Sequence, residues 1–213
     1  MTLRIGSRGS KLALTQTNMV ADAIREANPG LNVKVVIIKT KGDLIQDKPL
    51  NEIGDKGLFV KEIEEALLRK EIDLAVHSLK DMPGEQPEGL EMAVTPQRED
   101  PRDVIITFEP MRSIKDLPPN SKIATGSPRR IDQLKKLRPD ITTMPMRGNV
   151  DTRIRKSKEQ GYQGIVLAAA GLNRLGMKYM GFPLEVDEMI PAPAQGILGL
   201  ESRVGDETTL NYI

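Results

Sequence analysis

The sequence predicts an α/β protein built as two similar lobes. Short apolar runs alternate with amphipathic stretches of helical period, and the alternation restarts after a charged joint near residue 98. A short pattern also recurs, Gly6-Ser7-Arg8-Gly9-Ser10 in one half and Gly126-Ser127-Pro128-Arg129-Arg130 in the other. In the first cycle Leu3–Ser7 reads as a strand, followed by a helix to about Ala27 that Asn28-Pro29-Gly30 closes. Asn32–Thr40 is the next strand. The polar stretch 41–56 fits neither period and is expected to be a mobile loop able to act as a lid. Phe59–Lys70 places Phe59, Ile63, Ala66 and Leu67 at helical spacing, and Ile72–Val76 is a buried strand running into His77-Ser78-Leu79-Lys80-Asp81-Met82-Pro83.

The second cycle starts at Arg98-Glu99-Asp100-Pro101-Arg102-Asp103, where the domain boundary is placed. Strands are expected at Val104–Phe108, Lys122–Thr125, Ile141–Pro145 and Gly164–Ala169. The helices between and after them fall at Pro128–Leu137, Val150–Gln160 and Leu172–Arg174. Ile197–Glu201, behind Pro191-Ala192-Pro193-Ala194-Gln195-Gly196, is an apolar strand able to return to the first lobe. The expected domains are therefore 1–98 with 197–213, and 99–196. Two crossings of this kind make a hinge around a central cleft. Ligands of open α/β sheets bind beyond the carboxyl ends of strands, where both copies of the Gly-Ser pattern fall.

At 213 residues there is enough chain for a substantial core. Lys and Arg number 31 against 30 Asp and Glu, a formal net charge of +1, so no global field draws nucleic acid or an anionic membrane. Anion recognition must be local. Aromatics at 3% with no Trp leave few stacking platforms for single-stranded nucleic acid. Without cysteine there are no disulfides, thiolate ligands or thioether-bound cofactors. The N-terminus lacks an apolar signal core and no segment has the length of a membrane span, so a cytoplasmic protein is expected. Gly42, Gly54 and Gly57 form no phosphate-loop or dinucleotide pattern, and neither a nucleotide nor NAD is indicated.

Two arginine clusters sit between apolar runs and helices: Thr125-Gly126-Ser127-Pro128-Arg129-Arg130, and Arg147-Gly148-Asn149-Val150-Asp151-Thr152-Arg153. Pro128 is expected to open a helix with Ser127 as its cap, leaving Arg129 and Arg130 in the first turn. Cations are mildly unfavourable there, so a bound polyanion explains the pair better than helix stability does. The alternative is a solvated basic face, which suits Lys135, Lys136, Arg138, Arg155 and Lys156. The planar guanidinium fork matches carboxylates, favouring an organic polycarboxylate over a simple inorganic ion. Asp81, just past a buried strand, is either a turn residue or a functional carboxylate among cations, able to protonate a leaving amine or stabilise a transient cation. His77, the one histidine, is read as a packed, hydrogen-bonded residue with no catalytic role, and no metal site is expected.

These segments, together with Arg4–Leu14, Gly57–Glu62 and Ala170-Gly171-Leu172-Asn173-Arg174-Leu175-Gly176, occur in order from Leu3 to about Arg203. In them the chain resembles the porphobilinogen deaminase, or hydroxymethylbilane synthase, family of tetrapyrrole and heme biosynthesis. The resemblance implies two Rossmann-like lobes of the type II periplasmic-binding-protein kind. It also implies a reaction joining four porphobilinogens head to tail with loss of ammonia. Each pyrrole carries an acetate and a propionate, and ammonia loss creates an azafulvene-type cation, which suits arginines beside one carboxylate. By this similarity Asp81 is catalytic. Ser78, Lys80, Thr125, Ser127, Arg129, Arg130 and Arg153 bind the dipyrromethane cofactor, while Arg8, Ser10, Gln16, Arg147, Arg153 and Arg174 bind porphobilinogen and linear pyrrole polycarboxylates. The 41–56 stretch matches the family's active-site loop, with Phe59 following it.

Members of the family continue into a third domain, whose cysteine carries dipyrromethane by a thioether. This chain has no cysteine and stops at Ile213. Pro128 stands where a leucine is common and Ala194 where a glycine is common. The expectation is a deaminase lacking that domain. The alternatives are a non-catalytic scaffold for pyrrole polycarboxylates, or a subunit completed by a separate third-domain chain.

Overall fold

The computed structural model describes residues 2–44, 57 and 60–213. The chain divides into two compact units, Met1–Arg98 with Ile197–Ile213, and Glu99–Gly196.

In the first unit β1 (Thr2–Ser7), β2 (Asn32–Ile37), β3 (Leu74–Ser78), β4 (Leu90–Val94) and β10 (Leu198–Arg203) form one sheet in the order β2-β1-β3-β10-β4. β1 runs parallel to β2 and β3, whereas β10 is antiparallel to β3 and β4. Both faces of the sheet are covered. Leu3, Ile5, Leu74 and Val76 pack with Val20, Ala21 and Ile24 of α1 (Lys11–Ala27), while Ile72 and Ala75 pack with Ile63, Ala66 and Leu67 of α3 (Lys61–Leu68). That two-sided burial is why these strands read as continuous apolar runs.

In the second unit β5 (Asp103–Thr107), β6 (Lys122–Ala124), β7 (Thr142–Met144), β8 (Gly164–Ala168) and β9 (Gly181–Leu184) follow the order β7-β6-β8-β5-β9. β6 is parallel to β7 and β8, and β5 antiparallel to β8 and β9. Each sheet is thus three parallel strands, then one antiparallel strand that directly follows a crossing of the chain, then an antiparallel edge. Alternation along β5 sends Ile105 to one face and Val104 and Ile106 to the other. The helices are α4 (Pro128–Leu137), α5 (Val150–Glu159) and α6 (Ala169–Arg174). A Cβ at Gly164 would come 2.5 Å from the Ile106 carbonyl oxygen, so only glycine fits where β8 meets β5.

Several sequence expectations shift. Residues 41–44, read as loop, form α2 (Lys41–Leu44), where Glu62 Oε1 accepts the Lys41 N–H at 3.1 Å and meets a need of the helix start. The remainder of the proposed lid, and Phe59, lie outside the described residues. The short strands β4 and β9 were not anticipated. β4 lacks a clean alternation, and β9 contains Pro183, which an edge position tolerates. Ala194 adopts φ 58°, a conformation that favours glycine. After Asp206, α7 (Glu207–Leu210) follows, capped where the Asp206 side chain accepts from the Thr209 N–H.

Candidate functional site

The candidate residues of the first unit follow the carboxyl ends of its parallel strands. β1 ends at Ser7 and Arg8 follows, half-buried, before Ser10 caps α1 by accepting the Ala13 N–H at 3.3 Å. Buried hydroxyls brace this turn: Thr17 donates to Ser7 Oγ at 2.9 Å and Ser7 to the Arg8 carbonyl at 3.0 Å. β3 ends at Ser78, whose hydroxyl donates to Oε1 of buried Gln16 at 3.2 Å, tying that strand end to α1. A 3-10 turn over Leu79–Asp81 follows, closed where the Met82 N–H donates to the Leu79 carbonyl at 3.1 Å. Pro83 prevents its continuation. Lys80 and Asp81 are both exposed on that turn. Ser10, Gln16, Ser78 and Asp81 are therefore gathered at one end of one sheet.

His77 is buried one residue earlier, with Nε2 3.1 Å from Glu201 Oε2. Glu64, also buried, lies near enough to feel both groups. Burial pushes its carboxyl above the ordinary value, the Glu201 charge adds to that, and His77 opposes it. This arrangement agrees with reading His77 as a packed residue. Among the described residues no group of three or more His, Cys, Asp or Glu side chains is arranged to hold a metal ion.

In the second unit the same end of the sheet carries the arginines. Pro128 opens α4 as the sequence implies, but Ser127, at the cap position, makes no side-chain cap bond. Its N–H instead donates to the buried Thr125 hydroxyl at 3.3 Å. Arg129 and Arg130 have an internal partner that sequence reasoning missed, Asp103, which is 0% exposed at the head of β5. Arg130 donates to Asp103 Oδ1 from Nη2 at 2.6 Å and Nε at 3.1 Å, and to the Val166 carbonyl from Nη1 at 3.0 Å. Arg129 Nη2 lies 2.8 Å from Asp103 Oδ2, an ion pair aligned too poorly for a hydrogen bond, and its Nη1 donates to the Ile190 carbonyl at 2.7 Å. Burial pushes the Asp103 carboxyl up, but the Arg130 charge and hydrogen bonds, Gln195 and the Arg129 charge outweigh it, so the group sits below its ordinary value. The arginine pair therefore does not need a bound anion to account for it. The polyanion argument weakens for buried Arg130 and holds better for half-exposed Arg129.

Arg147 follows β7. Its Nη1 is buried with no hydrogen-bond partner among the described residues, an unusual state for a charged donor. Gly148 at φ 118° makes the turn into α5, and Arg153 Nε folds back onto the Gly148 carbonyl at 2.6 Å. Arg174 closes α6 beyond β8 and donates to the Gly196 carbonyl at 2.7 Å. Burial pushes its guanidinium below the usual value, with Glu99 opposing. Arg155 pairs with Glu159 at 2.8 Å on the exposed face.

A family model described as porphobilinogen deaminase, dipyromethane cofactor binding domain, matches residues 3–211. The porphobilinogen deaminase of Roseiflexus castenholzii is 52% identical over 213 residues, spanning 100% of this chain and 70% of the relative. That of Clostridium novyi is 54% identical over 207 residues, spanning 95% and 69%. A periplasmic substrate-binding protein of an ABC transporter from Coxiella burnetii shares the fold with a TM-score of 0.58 and 11% identity, over 99% of this chain and 89% of that one. At such identity the likeness is one of fold, and it places the two α/β units in the periplasmic-binding-protein class expected from the sequence.

Proposed function

This chain belongs to the porphobilinogen deaminase family, and we propose that its second unit holds pyrrole acetates and propionates while Asp81 of the first handles the reacting cation. The observation carrying this reading is Arg147 Nη1, buried and without a hydrogen-bond partner among the described residues, at the same strand ends as Arg129, Arg153 and Arg174. A carboxylate is the group whose geometry matches such a donor set. Dipyrromethane, with the same acetates and propionates, fits it too: Thr125, Ser127, Arg129 and Arg153, with Ser78 and Lys80, would hold it, whereas Arg130, whose guanidinium nitrogens all have internal acceptors, would act only through Arg129. When bound, it supplies the free pyrrole carbon to which the first porphobilinogen is joined. No residue of this chain can form a thioether to it, for there is no cysteine.

As ammonia departs with the carbon–nitrogen bonding pair, the pyrrole nitrogen lone pair moves to the exocyclic carbon and positive charge spreads over the ring. Asp81 stabilises that charge and accepts the proton that the ring carbon sheds after the new bond forms. Arg8, Ser10 and Gln16 hold the incoming porphobilinogen. Among the described residues no helix is long and apolar enough to cross a membrane, and the compartment we propose for this chemistry is the cytoplasm.

The test is porphobilinogen consumption by the purified chain beside Asp81→Asn. Turnover abolished by the substitution supports this reading. A second reading is a binding scaffold that holds pyrrole polycarboxylates without turning them over. Porphobilinogen binding without consumption would support that version, and absence of binding would overturn both.

A further inference from the structure

Asp103 is a fully buried carboxylate at the first residue of β5, and three side chains converge on it. Oδ1 accepts from Arg130 Nη2 and Nε and from Gln195 Nε2, the last at 2.9 Å, while Oδ2 faces Arg129 Nη2. Gln195 is fixed in turn by donating to the Pro101 carbonyl at 2.7 Å. Every nitrogen of the Arg130 guanidinium has an internal acceptor. Arg129 is held at both Nη atoms, keeps Nε without a partner among the described residues, and its side chain remains 23% exposed. The two neighbours thus differ: Arg130 is turned inward as a brace, and Arg129 is anchored at its tip with one donor left over.

We propose that Asp103 is a positioning residue, which with Arg130 fixes the Arg129 guanidinium so that its remaining donor faces a ligand carboxylate. The ligand is the pyrrole polycarboxylate of the functional reading above, on which this step rests. Asp103 also removes one positive charge from the arginine pair. Two roles therefore make opposite forecasts for Asp103→Asn, which keeps the shape and deletes the charge. If the carboxylate only moderated charge, the variant would be more cationic and bind a dicarboxylate more tightly. If it positions Arg129, the variant binds more weakly despite the added charge, because a supporting shell fixes the geometry on which the ligand depends.

The experiment uses the whole chain and porphobilinogen as the probe, a single pyrrole bearing the same acetate and propionate that Arg129 is proposed to meet in dipyrromethane. Titration calorimetry is expected to show affinity falling about tenfold in Asp103→Asn, a loss of the size seen when supporting partners of binding groups are removed. Unchanged or tighter binding overturns the proposal. The second readout needs no ligand: the 15N–1H correlation of the Arg129 Nε–H, assigned by its absence in Arg129→Lys. Positioning requires this signal to shift or broaden in Asp103→Asn while the backbone spectrum is retained; an unaltered signal overturns it. Should wild type fail to bind porphobilinogen, the functional reading falls and the Arg129 signal alone decides the positioning role. Should Asp103→Asn not fold, Arg130→Lys, which keeps the charge but loses the fork, carries the same forecast for that signal.

Discussion

Nε2 of His77 lies 3.1 Å from Oε2 of Glu201, joining β3 to β10 through two side chains that are 4% and 0% exposed. A carboxylate sealed from water depends on such a partner. His77→Leu is expected to lower unfolding stability by about 3 kcal/mol, the scale for stranding a buried charge. His77→Leu with Glu201→Leu should recover part of that loss, since the stranded charge is gone. Urea unfolding of both variants measures it; a single substitution costing less than the double would count against the pairing.

Glu64 adds a pH dependence of definite sign. Its native carboxyl is raised, chiefly by burial and then by Glu201, so the folded protein binds that proton more tightly than the unfolded chain does. The resulting stability is fully present below the ordinary carboxyl value, and is lost as pH rises through the elevated native one. Glu64→Gln should therefore raise the melting temperature at pH 8 and change it little near pH 4. An equal shift at both values would refute the assignment.

Ala194 carries φ 58°. Glycine reaches this region without Cβ strain, and Ala194→Gly should stabilise the protein by about 0.5–1 kcal/mol, the reverse of the usual sign for that substitution. The denaturant midpoint is the readout, and a fall would show that the turn tolerates alanine freely.

Arg147→Lys keeps the charge and loses the fork. Porphobilinogen affinity is expected to drop about tenfold, or roughly 1.4 kcal/mol. Arg155→Ala, which breaks only the exposed pair with Glu159, should leave binding intact and cost at most about 0.5 kcal/mol. Equal losses in the two variants would remove Arg147 from the site.

Much of this architecture was legible because parallel strands covered on both faces become unbroken apolar runs, as Leu74–Val76 and Ile165–Leu167 show. β9 was hidden by Pro183, and β4 by a sequence with no marked period. Asp81 and the arginine clusters could be picked out by position, since each follows an apolar run. The Asp103 contacts could not, because nothing local joins Asp103 to Arg130 across 27 positions. One signal was available: an aspartate heading the strand Asp103–Thr107, all five residues of which are buried, demands a cation from elsewhere.

β10 comes from the far end of the chain yet lies between β3 and β4. As the polypeptide leaves the ribosome, residues 99–196 are contiguous and can complete their sheet while the first unit still lacks its fourth strand. Until residues 198–203 emerge, Leu198 and Leu200 are missing from the core, β3 has an open edge, and His77 waits without Glu201. Of the two units, the one begun first is thus completed second, and a nascent chain stalled shortly before β10 would present an unpaired strand edge of the kind on which chaperones and aggregation act.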